Sequence, residues 1–420
     1  MQQKQFYIKH FGCKVNLSDS HSLAHELTAL GYGSADSPDQ ADVIILNTCS
    51  VTHQAEKDAR YILRKFHRLN PKAVKLVTGC YGQTDSLSLA EMVEVDYVIP
   101  NEYKHKIASF IHSLGDDQKK PTKIADKRLP DTSFVRGGRL GHFKSSLAYF
   151  GHQVSSQTRA FLKIQDGCND FCTYCQIPYA RGASRSVAAQ DILHEIDCLK
   201  DKGVREIVLT GIHLGEWGKD LEGQPSFVGL LEKILLKAPG CFRVRLSSLE
   251  PSEFSQPLAD LLSSYSDYVC HHLHFPLQSG SDHILKLMGR RYNKEEYFET
   301  VSRARSALGP KAHLSCDVMV GFPGETEQNF HDTIDFLRVT GLVSWHVFSY
   351  SPRPNTAAAR FSGHLSRTVI QSRSKILRNL SAHRLQEFSS KFFGQSLQIL
   401  WEGKRDKWGR ILGKSSEYLR

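Results

Sequence analysis

The chain reads as α/β: an N-terminal doubly wound parallel-sheet domain, a central partial (β/α)6 TIM-type barrel and a short C-terminal β segment. Three observations predict this. Apolar strand-like runs alternate with amphipathic helical stretches over residues 1–100, and βαβαβ order favours a parallel sheet covered by helices. A second alternation restarts at Arg159. Between the two, the periodicity fades across a basic stretch containing Pro and Gly. The expected organisation is 1–115, a basic linker over 116–156, the barrel over 157–388 and the C-terminal segment over 389–420.

Each element has its own reason. QFYIKHF (5–11) is the first strand. Leu23, Leu27 and Leu30 share one face of a helix from Ser18 to Leu30, which Gly31 stops. ADVIILN (41–47) follows, then a helix from about Gln54 to Leu69 that Pro71 ends. AVKLVTG (73–79) and DYVIP (96–100) complete the first sheet. FLKIQDG (161–167), VREIVLTG (204–211), FRVRLSS (242–248), VCHHLHFPL (269–277), HLSCDVMVGF (313–322) and SWHVFSYS (344–351) are the barrel strands. The tail, 392–420, reads as two strands around a charged turn. A two-stranded hairpin is marginal alone, so it should pack on the barrel.

Composition narrows the function classes. The chain has 420 residues, 40% of them hydrophobic and 23% charged, which fits a globular protein and excludes a disordered or fibrous one. The opening residues MQQKQFYIKHFGC lack the apolar core of a secretory signal. No apolar run approaches the roughly 20 residues that span a bilayer. A cytoplasmic location without membrane contact is expected. The net charge of +10 favours a polyanionic partner such as nucleic acid. Residues 119–144 alone carry eight Lys/Arg and two Asp, as a solvated connector or an RNA-touching arm.

Ten cysteines without a signal segment read as thiols or metal ligands, not disulfides. Cys168, Cys172 and Cys175 lie in GCNDFCTYCQIP, spaced C-x-x-x-C-x-x-C. A four-iron cubane normally takes four thiolates, so three would leave one iron open to a small molecule. A zinc site, with His152 or His194 as a fourth ligand, and three unrelated thiols are the plainer readings. Cys13, Cys49 and Cys80 each follow a strand of the first sheet. The carboxyl ends of parallel strands share one edge, so these thiols should converge. Cys198, Cys241, Cys270 and Cys316 read as small buried hydrophobes. His272 and His274 should share one face of a strand with His271 opposite, and neither arrangement argues for a metal.

GCKVNLSDS (12–20), NTCSVT (47–52) and TGCYGQ (78–83), followed by the central three-cysteine loop, resemble the radical S-adenosylmethionine (SAM) methylthiotransferases over nearly the whole chain. HFPLQSGSDHILKLMGRRY (274–292), with Gln278, Ser279, Gly280, Arg290 and Arg291, and FSYSPRPNTAA (348–358) are further matches. The resemblance implies two 4Fe-4S clusters, one on Cys13, Cys49 and Cys80 and one on Cys168, Cys172 and Cys175. It also implies two SAM molecules: one methylates a sulfur at the first cluster, and one is split at the second to a deoxyadenosyl radical. Expected SAM neighbours are Tyr174, Gly211 in LTGIHLG, Ser247 in RLSSLEP, and Asp317 and Gly321 in DVMVGFPGET. The tail resembles the start of a TRAM domain, an RNA-binding β-barrel that runs for several more strands in the family.

The implied reaction is methylthiolation of an adenine at C2 beside the tRNA anticodon, on the anticodon stem-loop. Lys14-Val15-Asn16 matches the threonylcarbamoyladenosine branch. The isopentenyladenosine enzymes and those acting on a ribosomal-protein aspartate are the alternatives within the family. An iron–sulfur or zinc RNA-binding protein without catalysis is the alternative outside it. A flavodoxin- or ferredoxin-type donor would supply electrons. Arg181 and Arg185 are candidates to touch a base.

Overall fold

The computed structural model describes residues 3–114 and 158–420. The linker expected over 116–156, with its basic arm and His152, lies outside the described residues. Two compact units emerge. The first comprises 3–114 together with Asp166–Asp170 and Cys175–Ser184. The second comprises 158–165, Phe171–Tyr174 and Arg185–Arg420.

The first unit is built on strands β1 (Gln5–His10), β2 (Gly33–Ser34), β3 (Val43–Thr48), β4 (Val74–Thr78) and β5 (Tyr97–Val98), in the order β2-β1-β3-β4-β5. Every pairing is parallel. All residues of β3 and β4 are buried, as expected where helices cover both faces of a parallel sheet. On one face, Leu23 and Leu27 of α1 (Lys14–Ala29) and Ile107 and Ile111 of α5 (Ile107–Ser113) pack with Phe6, Val43 and Leu76. On the other, Ala59, Leu63 and Phe66 of α2 (His53–Leu69) pack with Ile44, Leu46 and Val77. Thr52 caps α2 by accepting from the Ala55 amide at 3.2 Å. Helix α1 begins at Lys14, four residues before the expected Ser18. Between β4 and β5 lie α3 (Gly79–Thr84) and α4 (Ser86–Ala90).

The second unit contains six parallel strands: β6 (Arg159–Lys163), β7 (Glu206–Thr210), β8 (Arg243–Leu246), β9 (His272–His274), β10 (His313–Val320) and β11 (Ser344–Ser349). Ladders join β6-β7-β8 and β9-β10-β11. Single bridges, Val244 to Val269 and Ser248 to His274, join the two halves. Strand β9 is shorter than the expected 269–277. The backbone leaves it before Gln278, which adopts φ 65° and bridges to Val318 instead. The connecting helices are α7 (Ala189–Asp201), α8 (Phe227–Leu235), α9 (Gln256–Ser264), α10 (Asp282–Met288), α11 (Lys294–Leu308) and α12 (Glu327–Val339). A short α6 (Ile177–Arg181) belongs to the first unit. Helix α13 (Arg367–Ser390) covers β11, where Leu377 O accepts from the Trp345 indole N–H at 2.9 Å.

The tail forms an antiparallel hairpin, β12 (Ile399–Arg405) and β13 (Ile411–Ser415), and docks on the amino ends of the barrel strands. Arg159, Glu206 and Arg243, the first residues of β6, β7 and β8, stand in register. Glu206 accepts from Arg243 at 2.8 Å and from Arg245 at 2.9 Å. Burial alone would push the Glu206 carboxyl up, but Arg245, Arg243 and Arg159 hold it down at about 2. The arginines also bind the tail: Arg243 donates to Lys414 O and Arg245 to Ser415 O, at 2.9 and 3.0 Å. His272 stacks on Tyr418 at 4.3 Å. Among the described residues, no helix is long and apolar enough to cross a membrane.

Candidate functional site

The site of the first unit lies at the carboxyl edge of its sheet. Cys13 is the N-cap of α1 after β1, Cys49 follows β3 and Cys80 is the second residue of α3 after β4. Since β1, β3 and β4 are neighbours, sheet order alone brings the three thiols together. Gly12 makes room: at φ 88° it avoids a Cβ that would stand 2.8 Å from the Cys49 sulfur. Cys49 and Cys80 are buried while Cys13 is exposed. Burial first, and then the neighbouring Cys80, push the Cys49 thiol up to about 12. Burial also raises Cys80, while Arg181 and Lys104 pull it back. Neutral buried thiols beside two cations suit a metal that binds thiolates.

A polar network holds the edge. Asn16 is fully buried, and its amide donates to Phe11 O at 2.8 Å and Thr48 O at 2.9 Å, tying the ends of β1 and β3. Asn47 donates to Asn16 O and Ser20 Oγ. Lys104 Nζ reaches Asp19 at 2.8 Å and Asn47 at 3.2 Å. Arg181, at the end of α6, donates to both Asp166 oxygens (2.9 and 3.0 Å), to Asp19 at 3.2 Å and to Asn16 Oδ1. At 3% exposure and with these partners, Arg181 is not a base-contacting residue, which corrects the expectation from sequence. Arg185 is partly exposed. Sequence reading missed Asp19, Lys104 and the role of Arg181; only Asn16 and Asp19, inside GCKVNLSDS, carried a signal.

Of the central cysteines, Cys168 and Cys175 group with the first unit and Cys172 with the second. All three are partly exposed. In the first unit the Cys168 amide donates to Gly182 O at 3.1 Å. In the second, the Thr173 amide donates to Met288 O and its hydroxyl to Leu287 O, at 2.9 and 2.8 Å. The end of α10 thus fixes the backbone beside Cys172. Tyr174 packs on the apolar group of Ile284, Met288, Phe322, Tyr350 and Ala358. His194 stands one helical turn from Cys198, its Nε2 3.7 Å from that sulfur.

Of the expected SAM neighbours, Gly211, Ser247 and Gly321 directly follow barrel strands, Asp317 lies within β10 and Tyr174 lies in the cysteine loop. Ser247 follows β8, and its buried Oγ has no hydrogen-bond partner among the described residues. That orphan fits a ligand hydroxyl or amine better than a packing role. Gly211 follows β7, where a Cβ would sit 3.0 Å from the Gln165 amide oxygen. Asp317, on β10, accepts from His274 Nε2 at 3.2 Å. Gly321 follows β10 at φ 80°, and a Cβ there would stand 2.4 Å from Ile370, so the packing of α13 also asks for glycine at this position. Cys270 and Cys316 are buried as expected, and Cys198 and Cys241 are only partly so. His271 bonds Ser266 O and His274 bonds Ser315 Oγ.

Comparison with known proteins agrees with this arrangement. Residues 162–337 match the radical SAM superfamily, and residues 5–100 match the Uncharacterized protein family UPF0004. The chain is 36% identical to the threonylcarbamoyladenosine tRNA methylthiotransferase MtaB of Aquifex aeolicus, covering 93% of this chain and 90% of that protein. It is 34% identical to the MtaB of Bacillus subtilis, over 97% and 88%. It is also 33% identical to the tRNA-2-methylthio-N(6)-dimethylallyladenosine synthase of Syntrophus aciditrophicus, over 98% and 87%. The fold resembles the radical SAM methyltransferase TsrM of Kitasatospora setae, with a TM-score of 0.57 at 15% identity, over 85% of this chain and 74% of that one. SAM and 4Fe-4S clusters are the cofactors of this group. The thiol-rich sheet edge, the three-cysteine loop and the match over nearly the full length therefore place the chain in the radical SAM family of tRNA methylthiotransferases.

Proposed function

We propose that the protein adds a methylthio group to C2 of threonylcarbamoyladenosine next to the anticodon of tRNA. The observation that carries the reaction type is the convergence of Cys13, Cys49 and Cys80 on one sheet edge, in a chain that also bears the Cys168, Cys172 and Cys175 loop. Each set would hold one 4Fe-4S cluster, with one iron left without a protein ligand. When bound, the clusters and SAM supply one-electron chemistry at a carbon–hydrogen bond that no acid–base group attacks. The chain's own residues do the rest. Asn16, Asp19, Lys104 and Arg181 hold the sheet edge that carries the first set of thiols. Gly211 and Ser247 at strand ends, Asp317 within β10 and Tyr174 in the cysteine loop would meet SAM, with Ser247 Oγ ready to accept or donate.

The substrate branch rests on Lys14-Val15-Asn16. Val15 and Asn16 are buried, so they mark the branch without touching RNA; Lys14 is the partly exposed member. The dimethylallyladenosine reading is the second one, favoured by relatives of that name at 33% identity. Exposed Trp408, flanked by Lys407 at 4.3 Å and Arg410 at 4.7 Å, supports RNA contact through the tail. A flavodoxin- or ferredoxin-type donor and a cytoplasmic location belong to this reading.

The test is anaerobic reconstitution followed by reaction with SAM, a reductant and tRNA carrying either modified adenosine, read by nucleoside mass spectrometry. Methylthiolation of threonylcarbamoyladenosine alone is expected. Product only from the dimethylallyl nucleoside would move the chain to the other branch. Iron should number about eight per chain and fall to about four in a Cys168→Ala/Cys172→Ala/Cys175→Ala variant.

A further inference from the structure

Helix α10 ends on Met288, and Gly289 turns the chain through the left-handed region at φ 74°. The Arg290 amide then closes on Leu285 O at 2.9 Å. This turn carries the Arg290 side chain to the cysteine loop, where it is 5% exposed. Every nitrogen of the guanidinium has a partner within the second unit. Nε donates to the Tyr292 hydroxyl at 3.1 Å, Nη2 to Glu250 Oε2, and Nη1 to the Cys172 sulfur at 3.3 Å.

The surroundings hold that fork still. The Tyr292 hydroxyl donates to Pro276 O and Leu277 O, leaving its oxygen to accept from Arg290. The Arg290 guanidinium lies over the Tyr292 ring at 4.9 Å. Glu250 leads into a short 3-10 turn and forms a capping box with Glu253, which fixes its backbone. The same helix end that places Arg290 also anchors Thr173, so the sulfur and its donor are positioned by one element.

A hydrogen bond and a positive charge at a ligand sulfur stabilise the more negative, reduced form of an iron–sulfur group. Arg290 also neutralises Glu250, whose carboxylate would otherwise oppose reduction. We propose that Arg290 is a positioning residue that raises the reduction potential of the cluster on Cys168, Cys172 and Cys175 through its bond to the Cys172 sulfur. The inference rests on the reading of Cys172 as a cluster ligand given above.

The experiment is a redox titration of the reconstituted full chain followed by electron paramagnetic resonance. The relevant cluster is the one whose reduced spectrum changes on adding SAM. Arg290→Gln, with iron and sulfide retained, should shift its reduction equilibrium at least tenfold toward the oxidised form, which is about 59 mV for one electron. Arg290→Lys keeps the charge but not the planar fork, and should shift it less. The other cluster should not move. If Arg290→Gln fails to retain iron, Arg290→Lys decides by the same reading. An unchanged potential, or loss of the SAM-sensitive iron in both variants, overturns the proposal and leaves Arg290 as a prop of the loop. Absence of any SAM-sensitive spectrum in the wild type would instead overturn the functional reading on which it rests.

Discussion

Cys13, Cys49 and Cys80 come from three strand ends far apart in sequence, whereas Cys168, Cys172 and Cys175 share one short loop. The first set exists only when the sheet is folded, and a network of buried Asn16, Asp19 and Arg181 with half-buried Lys104 sets its edge. The second set is partly exposed and local, with the Arg290 guanidinium at Cys172. Assembly of the first should therefore be coupled to global stability, while the second depends on a few contacts beside the loop. The difference teaches that similar thiol sets can be prepared by long-range packing or by sequence spacing.

The largest effect should come from breaking the division of labour. Cys13→Ala should abolish methylthiolation while preserving SAM cleavage, measured as deoxyadenosine released under reducing conditions. Cys13 is the exposed member of its set, so the substitution leaves the sheet core intact. Loss of SAM cleavage as well would mean that the two regions do not work separately.

The next effect concerns the network. Arg181→Met leaves Asp166 and Asp19 facing each other without their shared cation, and should cost about 3–5 kcal/mol by urea unfolding. A loss below about 1 kcal/mol would show that the first site is not held by buried charge.

A control for that idea sits where the barrel meets its tail, away from either thiol set. Burial holds the His313 pKa at about 4, while Nδ1 donates to Glu417 O at 3.1 Å and Nε2 faces Ser344 Oγ at 2.8 Å. The unfolded chain binds this proton first as pH falls. The contribution of this histidine should be constant above about pH 6.5 and fall toward pH 4, by about 3 kcal/mol in all. His313→Gln should flatten that stretch of the profile. An unflattened profile would assign the acid sensitivity to other groups.

The smallest effect sharpens the contrast between buried and exposed charge. Lys237 and Asp197 pair at 2.8 Å on the surface. Lys237→Ala should change stability by less than about 1 kcal/mol in the same unfolding assay. A larger loss would remove burial as the variable that separates Arg181 from ordinary ion pairs.

Much of the fold was legible because its signals are local. Apolar runs such as Val43–Thr48 and Val74–Thr78 announce buried strands, and Pro71 marks a helix end. The edge strand Gly33–Ser34 was not legible, since two residues carry no periodicity. The start of α1 at Lys14 was missed because its inner face is polar: Asn16, Ser18, Asp19, Ser20 and Ser22 are buried there, where apolar spacing gives no signal. The contact of Ile370 with Gly321 was also hidden, since Ile370 lies on a distant helix.

By itself the sequence determined the succession of the longer strands and helices along the chain, the placement of three cysteines at strand ends and the spacing of the other three. Those follow from hydrophobic period and from the geometry of parallel sheets. Only the tertiary structure decided which cations meet which groups: Arg181 beside Asp19, Asp166 and the N-terminal thiols, Arg290 at the Cys172 sulfur, and Arg245 with Glu206 under the tail. Charged partners come from residues tens to hundreds of positions apart, and their pairing depends on where the folded backbone removes them from water. No local pattern in the chain encodes that.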